Sequence, residues 1–130
     1  MPRERLPKTR YGKTHKGIIY EEGTKNKINL YITVNCYEDG RPAELFVGSD
    51  QYGGTRDGFS DAWATAVSLY WQNGGTVDTF VRHFAWQNFS PFGWTDNPQI
   101  RQAKSIVDYV ARWVDGEFGA GKMIKGEKKE

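Results

Sequence analysis

The sequence contains one cysteine, Cys36, in 130 residues. No disulfide can form within the chain, which excludes a disulfide-stapled secreted scaffold and suits a reducing cytosol. Only two histidines occur, His15 and His83, far apart in sequence. Closed zinc sites draw four nitrogen or sulfur ligands, usually in close pairs, so neither a metal site nor any other cofactor is expected. No apolar run approaches the roughly 18 residues of a membrane span. The N-terminal "MPRERLPKTRYGKTHKG" lacks the apolar stretch of a secretory signal, so a cytoplasmic location away from membranes is expected. A nucleophile elbow of the G-x-S-x-G type and a phosphate-binding P-loop are both missing. Aspartates and glutamates are plentiful, but no spacing singles out a pair for acid–base work. The chain is not expected to be an enzyme.

What is present suits one compact domain. Aromatic residues make up 15% of the chain and include five Trp, so the bulk of a small core comes from rings. Charge is unevenly spread. Residues 1–16 carry six Lys/Arg against one Glu, whereas residues 17–116 carry eight Lys/Arg against twelve Asp/Glu. The basic arm can seek phosphate or dock on the carboxylates of its own body.

Alternation of apolar and polar residues marks a strand at "INLYITVNC", with Ile28, Leu30, Ile32, Val34 and Cys36 on one face. Shorter strands are expected at "GIIYEE" and "AELFVG", the latter following an Asp39-Gly40 turn. Ser60 is the expected cap of a first helix with Trp63, Ala66, Val67, Tyr70 and Trp71 on its buried side, ending at Asn73-Gly74-Gly75. Thr76 begins a second helix carrying Val77, Phe80, Val81 and Phe84. A third is expected to start at Asn97-Pro98, with Ile100, Ala103, Ile106, Val107, Val110, Trp113 and Val114 buried. Lys104, Asp108 and Arg112 would then form a charge ladder on another face, each pair contributing a few tenths of a kcal/mol. The expected fold is α+β: a small antiparallel sheet of about three strands packed against a helical hairpin and a C-terminal helix. Residues 1–16 form its arm, residues 17–118 the domain and residues 119–130 a mobile charged tail.

Two stretches are candidate sites. In "YGGTRDGFSD", Tyr52 to Asp61, backbone N–H groups and Arg56 could cradle an anion, although the same stretch serves as a plain strand-to-helix connector. In "RHFAWQNFSPFGWTDN", Arg82 to Asn97, aromatic faces and amides offer what a planar base would use. Arg82, His83, Trp86, Asn88, Trp94, Thr95, Asp96 and Lys104 are the expected ligand-binding residues. Phe84, Phe89 and Phe92 are read as a satellite core. Phosphate contacts are expected of Arg3, Arg5, Lys8, Arg10, Lys13, Lys16, Arg56, Arg101 and Arg112.

The segment "FSPFGWTDNPQIRQAKSIVDYVARWV" resembles the C-terminal part of the TSCPD domain, found at the end of adenosylcobalamin-dependent ribonucleotide reductases. Phe89, Pro91, Gly93, Thr95, Pro98 and Ile100 match its pattern, as does the helix from Ala103 to Trp113. "LYITVNCYEDGRPAELFV", with Glu44 after the turn, resembles the domain's strand–turn–strand. The likeness runs from about Arg3 to Phe118. The name-giving Cys-Pro-Asp is replaced by Ile106-Val107-Asp108. A reductase also needs a catalytic barrel, a radical cysteine and a redox pair, which one cysteine and 130 residues cannot supply. The opening Met before a linker-like arm is expected either of a freestanding copy or of a segment cut from a longer protein. The resemblance implies association with deoxynucleotide synthesis. The residues themselves are read as a non-catalytic binding and assembly domain that recognises a nucleotide or nucleic acid, with the aromatic loop and the Lys104/Arg112 helix as its surface. Two other roles fit the residues: a nucleic-acid-binding subunit of a larger complex, or a small protein that sequesters a nucleotide signal as a homo-oligomer.

Overall fold

A computed structural model describes residues 2–50 and 54–124, with the backbone alone at residues 54–57. The order of elements is β1 (Tyr11–Glu21), β2 (Lys27–Cys36), β3 (Pro42–Ser49), α1 (Gly54–Gln72), α2 (Val77–Phe84), β4 (Gly93–Thr95), β5 (Gln102–Ala103) and α3 (Ile106–Phe118). The fold is α+β, as expected, but its sheet has five strands in the order β3-β2-β1-β4-β5. The two extra strands are only three and two residues long, too short to leave a period in the sequence. By contacts the chain divides into two compact units, Met1–Lys16 with Leu30–Thr76, and Gly17–Asn29 with Val77–Glu130.

In the first unit, Leu30, Ile32 and Val34 of β2 and Ala43, Leu45 and Val47 of β3 are all buried. This is the alternation the sequence shows, and it gives the sheet one apolar face. Helix α1 packs along β3, the edge strand. The Ser68 hydroxyl accepts from Leu45 N at 2.8 Å, and Gln72 Nε2 donates to Ala43 O at 2.9 Å. The helix thereby satisfies edge groups that would otherwise invite another chain. It starts at Gly54, not at Ser60, since the intervening residues hold no proline to stop it. Its buried side is Ala64, Val67 and Trp71, whereas Ala66 and Tyr70, expected inside, are exposed. The end falls where expected: Gly74 takes φ +94° and Gly75 N donates back to Tyr70 O at 2.8 Å.

The basic arm is not a free tail, because β1 already begins at Tyr11. Arg10 Nη1 lies 2.6 Å from Glu44 Oε2, Arg3 Nε donates to Gln72 Oε1 at 2.5 Å, and Glu4 N donates to Gln72 O at 2.8 Å. Of the two roles open to the arm, docking on its own body is the one these contacts display.

In the second unit, α2 packs against α3 through Phe80 and Val81, both buried. Helix α3 starts at Ile106, not at Pro98. Ser105 is its N-cap, accepting from Asp108 N at 2.9 Å. Asn97 and Pro98 begin a single turn, closed by Ile100 N donating to Asn97 O at 3.1 Å. The chain then pairs as β5, with Gln102 opposite Trp94 and Ala103 opposite Gly93. Sheet pairing wins over a local helix signal, since the short strand satisfies backbone groups that helix extension would leave beside β4.

The C-terminal segment is packed against the domain as far as residue 124. Asp115, 4% exposed, accepts from Met123 N at 2.8 Å and from Ile124 N and Gly121 N at 3.2 Å. Met123 and Ile124 are buried. Asp115→Ala is expected to release this segment, and trypsin should then cut after Lys122 more than about tenfold faster, since proteolysis follows the open population. An unchanged cutting rate would show that apolar burial of Ile124 suffices alone. No helix among the described residues is long and apolar enough to cross a membrane.

Candidate functional site

The aromatic loop is organised around one carboxylate. Asp108, fully buried in the first turn of α3, accepts from Trp86 N at 2.6 Å through Oδ1 and from Lys104 N at 2.8 Å through Oδ2. Arg112 Nη1 sits 3.3 Å from the same Oδ2 and donates to Gln102 O at 2.8 Å. The Ser105 hydroxyl donates to Gln87 O at 2.6 Å. One helix end thus ties together residues 86–87 and 102–104. An acid at a helix N-terminus is also favoured by the helix dipole.

Trp86 is held in a left-handed conformation, φ +72°, which a non-glycine residue adopts only when its surroundings impose it. The bond to Asp108 imposes it from one side. From the other, the Arg112 guanidinium lies 4.0 Å from the indole centroid, a buried cation–π contact. The Trp86 Nε1 has no acceptor among the described residues, so the ring is held through its face. The Lys104, Asp108 and Arg112 ladder is therefore not a surface feature. Lys104 precedes the helix, and Asp108 and Arg112 are 0% and 5% exposed, because their charges serve the loop's backbone. Arg112 is unavailable to phosphate.

The polar residues of the loop are spent in the same way. Asp96 Oδ1 accepts from Ile18 N at 2.9 Å, and the Thr95 hydroxyl donates to the Ile100 carbonyl. Asn97 Nδ2 donates to the Tyr109 hydroxyl at 3.3 Å. Burial pushes that hydroxyl above its ordinary value near 10, with the Asn97 bond offsetting part of the rise. The fold holds the neutral form, so this contribution is complete below about pH 10 and is lost as pH climbs through the raised value.

The remaining expected residues lie apart from this cluster. Arg82 and His83 are on the exposed side of α2, Arg82 3.7 Å from Asp78 and His83 Nδ1 donating to Thr79 O at 2.9 Å. Asn88 and Arg101 are exposed, as are Arg5, Lys8, Lys13 and Lys16 along the arm and β1. Lys16 lies 5.7 Å from the Tyr31 ring centroid. The Arg56 side chain, and with it the core of the anion-cradle expectation, falls outside the described residues. Phe89, expected in a satellite core, is 46% exposed.

Trp94 is exposed like Phe89, but it lies in a strand. It is 56% exposed on β4, and directly opposite it on β1 is Tyr20, 45% exposed. Gln102 stands opposite on the other flank. Gly93 makes this juxtaposition: a Cβ there would overlap the Tyr20 carbonyl oxygen, so only glycine lets β4 approach so closely. Two adjacent rings and one amide form an open aromatic face on the outer side of a short sheet segment. Stacking on exposed sheet aromatics, with hydrogen bonding at base edges, is chemistry such a face can perform.

The family model described as TSCPD domain matches residues 2–117. The chain belongs to this family. The TSCPD domain described above is 42% identical over 120 residues to a vitamin B12-dependent ribonucleotide reductase of Rhodopirellula baltica, covering 92% of this chain and 11% of that protein. Its likeness to the Streptomyces coelicolor protein of the same name is 39% over 116 residues, covering 89% and 11%. For the Bradyrhizobium diazoefficiens protein it is 36% over 111 residues, covering 85% and 8%. The chain thus spans about a tenth of the length of these reductases. No solved structure matches it.

Sequence reasoning missed Tyr20, Asp108 as a buried anchor, and Asp115. The signal for Asp108 was available. Ser105-Ile106-Val107-Asp108 has the Ser-x-x-acid spacing of a helix start, and it competes with Asn97-Pro98 for that role. Tyr20 has no local mark, since Ile18 and Ile19 are adjacent and leave no alternation to choose its face. Nothing local marks Asp115, whose partners follow a turn.

Proposed function

We propose that this TSCPD domain is a non-catalytic binding and assembly domain of the ribonucleotide-reductase-associated kind, and that it recognises the bases of single-stranded nucleic acid. The observation that carries the reading is the Tyr20–Trp94 pair. Two neighbouring large rings stay about half exposed side by side on paired strands, while Thr95 and Asp96 next to Trp94 are bonded inward. Water contact with so much ring surface is unfavourable unless a partner covers it. Bases supply flat π faces for it, and Gln102 supplies an amide for their edges. The matched relatives bear the name vitamin B12-dependent ribonucleotide reductase, which supports a partner of nucleotide chemistry. A cytoplasmic setting agrees with Cys36, a free thiol whose pKa burial raises.

The test is fluorescence anisotropy of a short labelled strand titrated with the protein, first single-stranded and then as a duplex. Binding is expected to be at least about tenfold tighter to the single strand, because duplex bases are already stacked on one another. The salt dependence should be shallow, fewer than about three phosphates' worth, since two of the arm's arginines, Arg10 and Arg3, are occupied by Glu44 and Gln72. Equal affinity for the duplex, or a steep salt slope, would move the reading to phosphate contact.

A further inference from the structure

A second feature, wholly within the first unit, is a cleft of about 600 Å³ between the outer face of β2 and β3 and the side of α1. We infer that this cleft binds a nucleoside, a planar heterocycle joined to a hydroxylated sugar. Its size falls within the range of small-molecule sites. Its floor carries Tyr31, 43% exposed, and Phe46, 54% exposed, and its wall is formed by Asp61, Thr65 and Leu69.

Gly48 gives the cleft its shape. It is the cross-strand partner of Tyr31, inside a strand, where glycine weakens pairing and packs nothing. Its φ lies outside the left-handed region, and a Cβ built on it would meet nothing within 4 Å. Neither torsion nor internal packing requires glycine here. The effect of having one is a bare flank on the Tyr31 ring, where a flat group can lie. On β1 the Lys16 ammonium stands by the same ring, so the open approach is from the β3 side.

The polar groups choose the class of ligand. Glu44 is taken by Arg10 and by Asn35 Nδ2 at 3.0 Å, and Arg3 is held by Gln72. Thr65 donates its hydroxyl proton to Asp61 O at 2.8 Å, and the Thr33 hydroxyl is shared with Thr14 at 3.1 Å. Among the described residues no partner reaches the Asp61 carboxylate. The groups left to face a ligand are thus the Asp61 carboxylate, an acceptor, and the Arg3 N–H groups beyond Nε, which are donors. Donor and acceptor in one cleft suit a neutral ligand carrying both, such as sugar hydroxyls and the edge of a heterocycle.

Isothermal titration of the full chain with adenosine, guanosine, cytidine and uridine in turn tests this. Saturable heat with at least one nucleoside is expected. Gly48→Val should weaken it more than about tenfold, as loss of a close contact does, while the melting temperature stays or rises. Tyr31→Thr keeps a strand-forming residue and should lose binding likewise; Asp61→Asn should weaken it by at least about fivefold. No saturable heat with any of the four at about millimolar concentration overturns the inference. So does undiminished binding by folded Gly48→Val or Tyr31→Thr protein. Retention of the single-strand response by Gly48→Val distinguishes this cleft from the Tyr20–Trp94 face.

Discussion

Asp108→Ala is expected to destabilise the protein by about 3–5 kcal/mol, the range for breaking a buried ion pair from one side. Three groups lose their partner at once. Arg112, 5% exposed, keeps its charge without a counter-charge. Trp86 N and Lys104 N lose the acceptor they now reach at 2.6 and 2.8 Å, and a buried backbone donor left unsatisfied costs about 1–3 kcal/mol. Trp86 would also lose what holds it at positive φ. Urea denaturation followed by tryptophan fluorescence measures the loss. An exposed pair at the same i, i+4 spacing would contribute under about 1 kcal/mol, so the two descriptions of this helix face differ by a margin that is easily read. Removing both charges, as in Asp108→Leu with Arg112→Met, should cost less than Asp108→Ala alone, because no isolated buried charge remains.

Gly17→Ala should cost about 1–3 kcal/mol, the range for overpacking a filled core. A Cβ at this position would overlap the Tyr109 hydroxyl and stand 2.6 Å from its Cζ. Tyr109 is fully buried and cannot retreat without breaking the bond from Asn97. The strain would pass into the 95–100 turn and weaken near-ultraviolet circular dichroism from the aromatic residues. Tyr109→Phe in the Gly17→Ala background should restore part of the loss, although in the wild type it removes a hydrogen-bond partner. Additive effects of the two substitutions would show that glycine and hydroxyl do not meet.

Parts of this molecule could be read directly from its residues. The alternation of Ile28, Leu30, Ile32 and Val34 gives both the strand and its buried face, because side-chain direction in a strand depends on position alone. Asn73-Gly74-Gly75 ends α1 because a left-handed closing residue is a local need. The start of α3 could not be chosen so simply, since Asn97-Pro98 and Ser105-x-x-Asp108 are both valid local beginnings. The pairing of Gln102 and Ala103 with β4 decides between them, and that is a contact between segments. In the same way, the spacing of Lys104, Asp108 and Arg112 says that residues share a helix face, but not which way the face looks. Trp94 was legible as a candidate from its loop. Its neighbour Tyr20 was not, because the pairing joins β1 to a three-residue strand far along the chain.

Trp94 is either a displayed binding surface or loosely covered core. The direct test is to measure the melting temperature and the affinity for a single-stranded oligonucleotide on the same Trp94→Ala protein. The expected result is a melting temperature within about 2–3 °C of the wild type, as for a substitution costing well under 1 kcal/mol. Affinity should fall about 5- to 150-fold, the equivalent of one lost base–aromatic stack of 1–3 kcal/mol. A drop of about 8 °C or more with oligonucleotide binding intact would contradict the account and return Trp94 to the core.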